Sequence, residues 1–299
     1  MKVLKRTKKF FIFLLTACML VLPFTGCASD SQGGNGSGGE TALERAKNEG
    51  YVTVGFANEK PYAYQTSEGE LTGESVEVAR EVLKNLGINE MRGVLTEFGS
   101  LIPGLQAKRF DMVTAGMFIT PERARDVSFA NPEYGIGEAI AVKKGNPLEI
   151  YSYEDIASHD TATVAVPGGA IEYDYLTALG VPEDKIVTVM DMPSALAALQ
   201  AGRVDVITAT GPSLQATLDT ADSSEIERVM DFSQPVIDGE SVKGYGATVF
   251  REEDDDFVSS FNEELKKLQD SGELLEIIQP FGFTEEELPG DVTTEDLIK

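Results

Sequence analysis

The sequence is poor in cysteine, histidine and basic residues. Its 299 residues include two cysteines, one histidine and no tryptophan, and 25 Lys and Arg stand against 50 Asp and Glu, a formal net charge of -25 at pH 7. A chain this acidic is unsuited to binding nucleic acid or anionic lipid headgroups. With 42% hydrophobic residues, it nevertheless has enough apolar side chains for a folded globular body.

The N-terminus has the pattern of an export signal. Several lysines and an arginine precede an apolar run, 10–22, that is too short to span a bilayer as a helix. The run leads to "FTGC", which resembles a lipobox, where a signal is cut just before a cysteine that then carries lipid. We therefore expect a signal peptide over residues 1–26 and lipidation of Cys27. "LTAC", ending at Cys18, would leave an apolar stretch in the mature chain; a plain signal peptide cut nearby is the alternative.

This processing would leave the folded body without cysteine. We expect no disulfide, no thiolate metal site and no cofactor. Residues 27–43 would form a lipidated tether, because "ASDSQGGNGSGG" has the composition of a flexible linker. The sequence thus predicts an extracytoplasmic body held at the outer face of a membrane, or in a periplasm, by its lipid.

Strand and helix patterns alternate after the tether. "YVTVGF" (51–56) predicts a strand, 74–86 an amphipathic helix and "GVLTEF" (93–98) a second strand. Ser100 is expected to cap the next helix, and "FDMVTAG" (110–116) to form a third strand. This order predicts a parallel sheet joined by right-handed crossovers.

The same order begins again after residue 150. "ATVAVPGG" and "KIVTVM" predict strands, and a helix from about Ser194 leads into the strand "VDVITAT". The helix-to-strand junction "LQAKRFDMV" (105–113) recurs as "LQAGRVDVI" (199–207), and Asp111 and Asp205 are expected to orient the two turns. Convergence on a common turn is the alternative, but the matching order on both sides favours two similar halves.

Two such halves predict two α/β lobes with a cleft between them, since parallel sheets carry their functional loops at the carboxyl ends of the strands. The C-terminal part, the strand "GYGATVF" and an amphipathic helix, is assigned to the first lobe. Lobe one would comprise residues 44–141 plus 238–299, and lobe two residues 142–237. The two crossings between lobes are expected within 138–147 and roughly 236–243.

The chain resembles the bacterial extracellular solute-binding proteins of family 3, the polar-amino-acid receptors of ABC importers. The segments that carry the resemblance are "GYVTVGFANEKPYAY", "GLQAKRFDMVTAGMFITPERARDVSFANP", "AVKKGNPL", "LQAGRVDV" and "LKKLQDSGELLEIIQPFGF". Within the family, "ANEKPY", "TEFGSLIPGLQAKRFDMVTAGMFITPER" and "VPGGAIE" are similar to the ectoine- and hydroxyectoine-binding proteins. The resemblance implies a type II periplasmic-binding-protein fold with a two-strand hinge, a small zwitterionic solute, a permease partner and a monomer.

Arg123 and Glu59 are the candidate charged residues of the cleft. Arg123 lies just beyond the strand 110–116, in "FITPER", and could grip a carboxylate through two charge-assisted hydrogen bonds. Glu59 follows the first strand, and an unpaired carboxylate there would suit a cationic group. Without the resemblance, Arg123 reads equally well as a solvated residue at a helix start; with it, both positions are implied to bind ligand.

Three aromatic residues, Tyr62, Phe98 and Phe118, lie at or beyond the ends of first-lobe strands. Converging aromatics can enclose a flat or cationic ligand, with about 0.5–2 kcal/mol from each cation–π contact. Core packing is the alternative, above all for Phe98. Gly116, at the same strand end as Phe118, is included among the ligand-binding residues.

For the second lobe, the resemblance implies that backbone N–H groups of the turn holding Gly168, Gly169, Ala170 and Ile171 receive the ligand carboxylate. Ala170 and Ile171 stand where we expect Gly and Thr, so a threonine hydroxyl is missing. Thr210 stands where receptors for α-amino acids of this family usually carry an Asp that pairs with the α-ammonium. A neutral hydroxyl there disfavours free α-amino acids.

Together these residues predict a ligand with a carboxylate, a delocalised cation and a compact ring, as in ectoine or hydroxyectoine. Another zwitterionic or cationic amino-acid-like solute stays open, because Tyr62 and Phe98 exchange Tyr and Phe relative to the ectoine-binding pattern. We expect no enzyme: His159, the only histidine, lies on a polar loop. A dehydratase of arogenate or prephenate, with Glu59 as its acid, and a sensor domain acting through a partner are the alternatives.

Overall fold

A computed structural model of the chain describes residues 39–220, 224–237 and 239–299. The predicted signal peptide, Cys27 and most of the predicted tether therefore lie outside the described residues. The compact unit runs from Gly39 to Lys299. No helix in the described part has the length and apolar character needed to cross a bilayer.

The strands are, in chain order, β1 (Tyr51–Phe56), β2 (Tyr64–Gln65), β3 (Leu71–Thr72), β4 (Glu90–Leu95), β5 (Met112–Phe118), β6 (Ser128–Phe129), β7 (Tyr134–Ile136), β8 (Glu138–Lys143), β9 (Val164–Pro167), β10 (Ile186–Val189), β11 (Val206–Thr210), β12 (Ile226–Arg228), β13 (Val236–Ile237), β14 (Glu240–Ser241) and β15 (Gly244–Phe250). The α-helices are α1 (Ala42–Glu49), α2 (Glu74–Asn85), α3 (Leu101–Gln106), α4 (Tyr153–Ser158), α5 (Glu172–Ala178), α6 (Met192–Gln200), α7 (Gly211–Thr220), α8 (Asp255–Ser271), α9 (Glu273–Ile278) and α10 (Thr294–Leu297).

The first sheet, in lobe one, has the order β4-β1-β5-β15-β6, and β7 also pairs with β15. β1 runs parallel to β4 and β5, as the crossovers predict, whereas β15 is antiparallel to β5. β15 thus brings the chain back into the first sheet after lobe two. Helix α8 then buries Phe257, Phe261 and Leu265 against it.

Several element boundaries differ from the sequence prediction. β4 begins at Glu90 and ends at Leu95, so Phe98 lies in a short 3-10 turn, Phe98–Ser100, rather than in a strand. Ser100 makes no side-chain cap. The folded body also begins before residue 44, because Thr41 and Glu44 form a reciprocal capping box at the start of α1. This box satisfies two backbone donors that would otherwise be free at the helix end.

The second sheet, in lobe two, has the order β10-β9-β11-β8-β12. The predicted boundary at residue 142 is wrong, because β8 enters this sheet at Glu138, antiparallel to β11. The chain therefore leaves the first sheet at Gly137. On the returning segment, the Gln234 amide accepts from the Glu138 N–H (2.8 Å) and donates to its carbonyl (2.8 Å). The Gln234 side chain thus joins the two crossing segments with the same pair of hydrogen bonds that a neighbouring backbone would make.

The repeated junction has the same geometry in both lobes. Asp111 Oδ2 accepts from Thr53 N (2.8 Å) and Thr53 Oγ1 (2.8 Å). Asp205 Oδ2 accepts from Thr163 N (3.0 Å) and Thr163 Oγ1 (3.0 Å). Each aspartate ties the start of its strand to the neighbouring strand, which confirms the prediction that it orients the turn. The repeat is therefore structural and extends beyond the letters of the sequence.

Candidate functional site

The loop after β1 brings Glu59 and Tyr62 to the cleft. Glu59 and Ala63 exchange two backbone hydrogen bonds, each 2.9 Å long, which close the loop into a tight bend. The first residues of α2 hold this bend in place, because the Ser75 N–H donates to the Tyr62 carbonyl. Gly73 is needed where they meet: its φ is +131°, and a Cβ would lie 2.2 Å from the Tyr62 carbonyl oxygen.

Gly116 lets the Tyr62 ring rest directly on β5. Its φ is +63°, and a Cβ would lie 2.5 Å from the Tyr62 ring. The Tyr134 hydroxyl donates to the Gly116 carbonyl (2.9 Å), and the rings of Tyr62 and Tyr134 stack with centroids 5.3 Å apart. Gly116 is thus required for both its backbone conformation and its lack of a side chain.

Arg123 projects from the 3-10 turn after β5. One guanidinium nitrogen donates to the Phe118 carbonyl (2.8 Å), and another donates across the cleft to the Gly169 carbonyl (3.0 Å). The Phe98 ring faces the guanidinium with its centroid 5.7 Å away. Burial lowers the pKa of Arg123, although acidic neighbours, Glu172 foremost, oppose the shift. Among the described residues it forms no ion pair, so this partly buried charge is compensated only by carbonyl oxygens and distant acids.

Lobe two closes the opposite side of the cavity with small residues and one acid. Ala170 and Ile171 line it, whereas Gly168 and Gly169 do not. The N–H groups of Gly168 and Ala170 already donate to Val189 and Pro167 carbonyls. The structure therefore commits two of the backbone donors expected for the ligand to the turn itself, and Gly169 accepts from Arg123.

The lobes touch through three polar contacts at the cavity. Ser213 Oγ donates to Glu59 Oε1 (2.5 Å), and the Tyr62 and Thr210 hydroxyls share a hydrogen bond of 2.7 Å. The Arg123 bond to lobe two is the third. Each joins a lobe-one side chain to lobe two, as in a closed two-lobed receptor.

These contacts lie beside a cavity of ≈ 40 Å³. Its predicted ligand-binding residues are Glu59, Tyr62, Phe98, Gly116, Phe118, Arg123, Ala170, Ile171 and Thr210, and it is completed by Ala115, Pro167, Glu172 and Ala209. A second, larger cavity of ≈ 510 Å³ has Leu95 and Met190 in its lining. The two cavities share Glu59, Phe98 and Pro167 as lining residues.

Carboxyl groups dominate the electrostatics of the cavity. Burial raises the pKa of Glu59 to about 7; the Ser213 hydroxyl opposes this shift, and the Glu172 carboxylate adds to it. Burial also raises the pKa values of Glu138 and Glu172, which interact directly. The site therefore combines one guanidinium with three neighbouring carboxyls, a pattern that suits a ligand carrying both signs of charge.

Sequence reasoning missed Glu138, Glu172 and Ser213. Glu172 was visible as the last letter of "VPGGAIE", directly after a turn already assigned to the site. Glu138 and Ser213 carried no such signal, because only the packing of β8 and α7 places them near Glu59. His159 lies away from the cavity, and its Nδ1 accepts from the Ala162 N–H (2.9 Å) within its own turn.

Comparisons of the sequence with known proteins agree on one protein family. Residues 52–284 match the model of the bacterial extracellular solute-binding proteins, family 3. A probable amino-acid ABC transporter periplasmic-binding protein, y4tE of Sinorhizobium fredii, is 39% identical over 263 residues, covering 87% of this chain and 86% of that protein.

Solved structures show the same fold. The crystal structure of EhuB in complex with hydroxyectoine superposes with a TM-score of 0.78 at 36% identity, covering 86% of this chain and 97% of that one. The ancestral amino-acid-binding protein AncCDT-1, described as a precursor of cyclohexadienyl dehydratase, gives a TM-score of 0.70 at 26% identity over 81% of this chain and 99% of its own. The fold is therefore the type II periplasmic-binding-protein fold predicted from the sequence.

Proposed function

Because this chain belongs to the bacterial extracellular solute-binding proteins of family 3, we propose that it captures ectoine or hydroxyectoine for an ABC importer. The family is one of extracytoplasmic solute-binding proteins, which implies a small amino-acid-like solute and a permease. The finer assignment is supported by the site and by the likeness to EhuB, whose structure holds hydroxyectoine.

The observation that carries the proposal is the pairing of Arg123 and Glu59 in one aromatic cavity. Both charged groups are partly buried, and neither has an ion-pair partner of opposite sign among the described residues. Burying an unpaired charge is costly, so a ligand that brings a carboxylate to Arg123 and a cation to Glu59 would offset both penalties. A zwitterion meets both needs at once.

Ectoine fits because it is a small ring that carries an amidinium and a carboxylate. The delocalised cation can lie against the faces of Tyr62, Phe98 and Phe118, all of which line the cavity. The carboxylate can accept a bidentate pair from Arg123 if the guanidinium gives up one of its carbonyl acceptors. The ≈ 40 Å³ cavity would have to expand to admit the ring, with the lobes separating and closing again.

The binding order follows from this distribution of groups. Lobe one presents the guanidinium, Glu59 and the aromatic rings, so ligand docks there first. Lobe two then closes through Ser213 and Thr210, and the permease recognises the closed form. Cys27, with its lipid, would keep the receptor near the permease.

A dehydratase is the second candidate, because Glu59 has a pKa of about 7 and could act as a general acid. The likeness to a precursor of cyclohexadienyl dehydratase gives this candidate a specific basis. Incubation with prephenate and arogenate tests it: product formation would replace the receptor assignment with an enzymatic one.

The experiment that tests the receptor is calorimetry on the compact unit Gly39–Lys299 with a solute panel. The panel holds ectoine, hydroxyectoine, glycine betaine, proline, arginine and glutamate. We expect ectoine or hydroxyectoine to bind with a Kd of micromolar order, or about -8 kcal/mol. Tighter binding of proline or a charged amino acid than of both ectoines would contradict the substrate assignment.

A further inference from the structure

Each lobe buries a pair of interacting glutamates, but only one pair borders the ligand cavity. Glu74 and Glu133 lie in lobe one, and both are fully buried. Glu138 and Glu172 lie in lobe two, with 3% and 4% of their surface exposed. Glu172 lines the cavity, whereas neither member of the lobe-one pair does. The contrast suggests different roles.

The lobe-one pair is largely satisfied by its own lobe. Glu133 accepts from the Thr248 N–H (2.9 Å) and the Thr248 hydroxyl (2.6 Å), and Glu74 accepts from the Ser75 hydroxyl (2.8 Å). One oxygen of each carboxyl remains without a hydrogen bond among the described residues, which is compatible with a shared proton. This pair supports packing between α2, β7 and β15.

The lobe-two pair is less well satisfied. Both Glu138 oxygens and Glu172 Oε2 lack an N–H or hydroxyl donor in the described part of the chain, and the two carboxyls interact with each other instead. A buried acceptor without a donor destabilises the folded protein, and an ionised one does so more strongly. Glu172 is more than nine-tenths buried and borders the cavity, and no N–H or hydroxyl of the described residues donates to its Oε2, so a ligand can supply that donor.

The surroundings of Glu172 come from both lobes. On lobe one its charge attracts Arg123 and raises the pKa of Glu59. On lobe two it raises the pKa values of Glu138, Tyr153 and Tyr175. Glu59 and Glu172 therefore face the same space from opposite sides, and closure brings like charges together unless a cation lies between them.

We propose that Glu172 is a specificity-determining residue, the lobe-two carboxylate that accepts from the cationic end of the ligand opposite Glu59. The inference rests on the proposed function, since it needs a ligand that carries a cation. A ligand with a carboxylate but no cation would dock on Arg123 and leave Glu59, Glu138 and Glu172 facing one another. A ligand cation thus favours the closure of lobe two, while lobe one supplies the first contact.

The test compares Glu172→Gln with Glu74→Gln on two ligands. Glu74 is the matched control, because it is equally buried and paired but does not line the cavity. The ligands are ectoine and pyroglutamate, a ring carboxylate of similar size that has a neutral lactam in place of the cation. Calorimetry on the compact unit Gly39–Lys299 gives the Kd values, and thermal unfolding confirms that each variant folds.

We expect Glu172→Gln to weaken ectoine binding at least about 30-fold, the usual lower effect of truncating one partner of a buried charge pair. Pyroglutamate binding should be unchanged or tighter, and Glu74→Gln should leave ectoine affinity within about twofold. Glu172→Asp, which keeps the charge, should retain more ectoine affinity than Glu172→Gln. This charge dependence separates ligand contact from a purely structural role.

Two different failures can be told apart. If the wild-type protein binds ectoine and Glu172→Gln binds it equally well, the role of Glu172 is wrong and the proposed function stands. The role is wrong in the same way if Glu172→Gln weakens ectoine and pyroglutamate binding alike. If the wild-type protein binds no zwitterion in the panel, both the function and the role of Glu172 are overturned.

Discussion

The two lobes share a framework but differ in what they bring to the cavity. In both, an aspartate at the start of a strand binds the N–H and hydroxyl of a threonine on the neighbouring strand. Lobe one, however, supplies the guanidinium, one carboxyl and three aromatic rings, whereas lobe two supplies Ala170, Ala209, Thr210 and Glu172. Similar scaffolds can therefore carry unequal chemistry, with one lobe grasping the ligand and the other closing over it.

The largest expected difference in stability concerns the two junction aspartates. Asp111 accepts from Thr53 twice and also pairs with Arg45, whereas Asp205 accepts twice from Thr163 and forms no ion pair among the described residues. We expect Asp111→Ala to destabilise the protein by about 3 kcal/mol and Asp205→Ala by about 2 kcal/mol, since each leaves donors unpaired.

Urea unfolding followed by circular dichroism measures both variants. Asp111→Ala in an Arg45→Ala background provides the control. Without Arg45, the loss of stability caused by Asp111→Ala should equal the loss caused by Asp205→Ala. A greater loss of stability for Asp205→Ala than for Asp111→Ala would contradict the account that the two junctions match except for the ion pair with Arg45.

The second prediction concerns pH and the lobe-one carboxyl. The pKa of Glu59 is about 7, so below that value the group is mostly neutral and pairs poorly with a cation. We expect ectoine to bind about tenfold more weakly at about pH 5.5 than at about pH 8, with most of the change between about pH 6 and 7.5. Glu59→Gln should flatten this profile as well as lower the affinity.

Stability of the ligand-free protein should follow the opposite trend. The folded pKa of Glu59 lies above that of an exposed glutamate, so the folded state binds more protons between the two values. The contribution of Glu59 to stability is therefore fully present below the lower value and is lost as pH rises through about 7. A melting temperature that rises over this interval would contradict the burial of Glu59 as an acid without a cationic partner.

The smallest expected effect concerns the left-handed position of each junction. Lys108 has φ +57° in lobe one, and Gly202 has φ +66° at the matching place in lobe two. We expect Gly202→Lys to destabilise by about 1 kcal/mol, because a side chain disfavours this conformation, and Lys108→Gly to stabilise by up to about 0.5 kcal/mol. If urea unfolding shows that both substitutions stabilise the protein, or that both destabilise it, the junctions are not equivalent.

Much of the framework was predictable, because hydrophobic periodicity and the repeated nonapeptide are local signals. β1, α2 and the C-terminal helix lie where the sequence places them. Phe98 was expected at the end of the predicted strand 93–98, yet β4 stops at Leu95. The boundary at 142 failed because β8 is antiparallel in the second sheet, and no local pattern distinguishes strand partners.

The candidate site, like the fold, could be predicted from the sequence only in part. Arg123, Glu59 and the aromatic residues lie at or after strand ends, which puts them near the cleft, and the family resemblance implied that Arg123 and Glu59 bind ligand. Gly168 and Gly169 were expected to present backbone donors to the ligand, but the turn uses the Gly168 N–H internally. Ser213 and Glu138 come near Glu59 only through packing between elements far apart in sequence, and no local sequence pattern indicates this packing.

The most direct measurement of the central claim, that lobe one recognises the ligand carboxylate through Arg123, is calorimetry of ectoine with Arg123→Ala beside Arg125→Ala. Arg125 lies in the same 3-10 turn but is exposed, so it controls for the loss of a nearby positive charge. Loss of a buried charge partner predicts an affinity at least about 100-fold weaker for Arg123→Ala and within about twofold of wild type for Arg125→Ala. Equal ectoine affinity in the two variants would contradict the account.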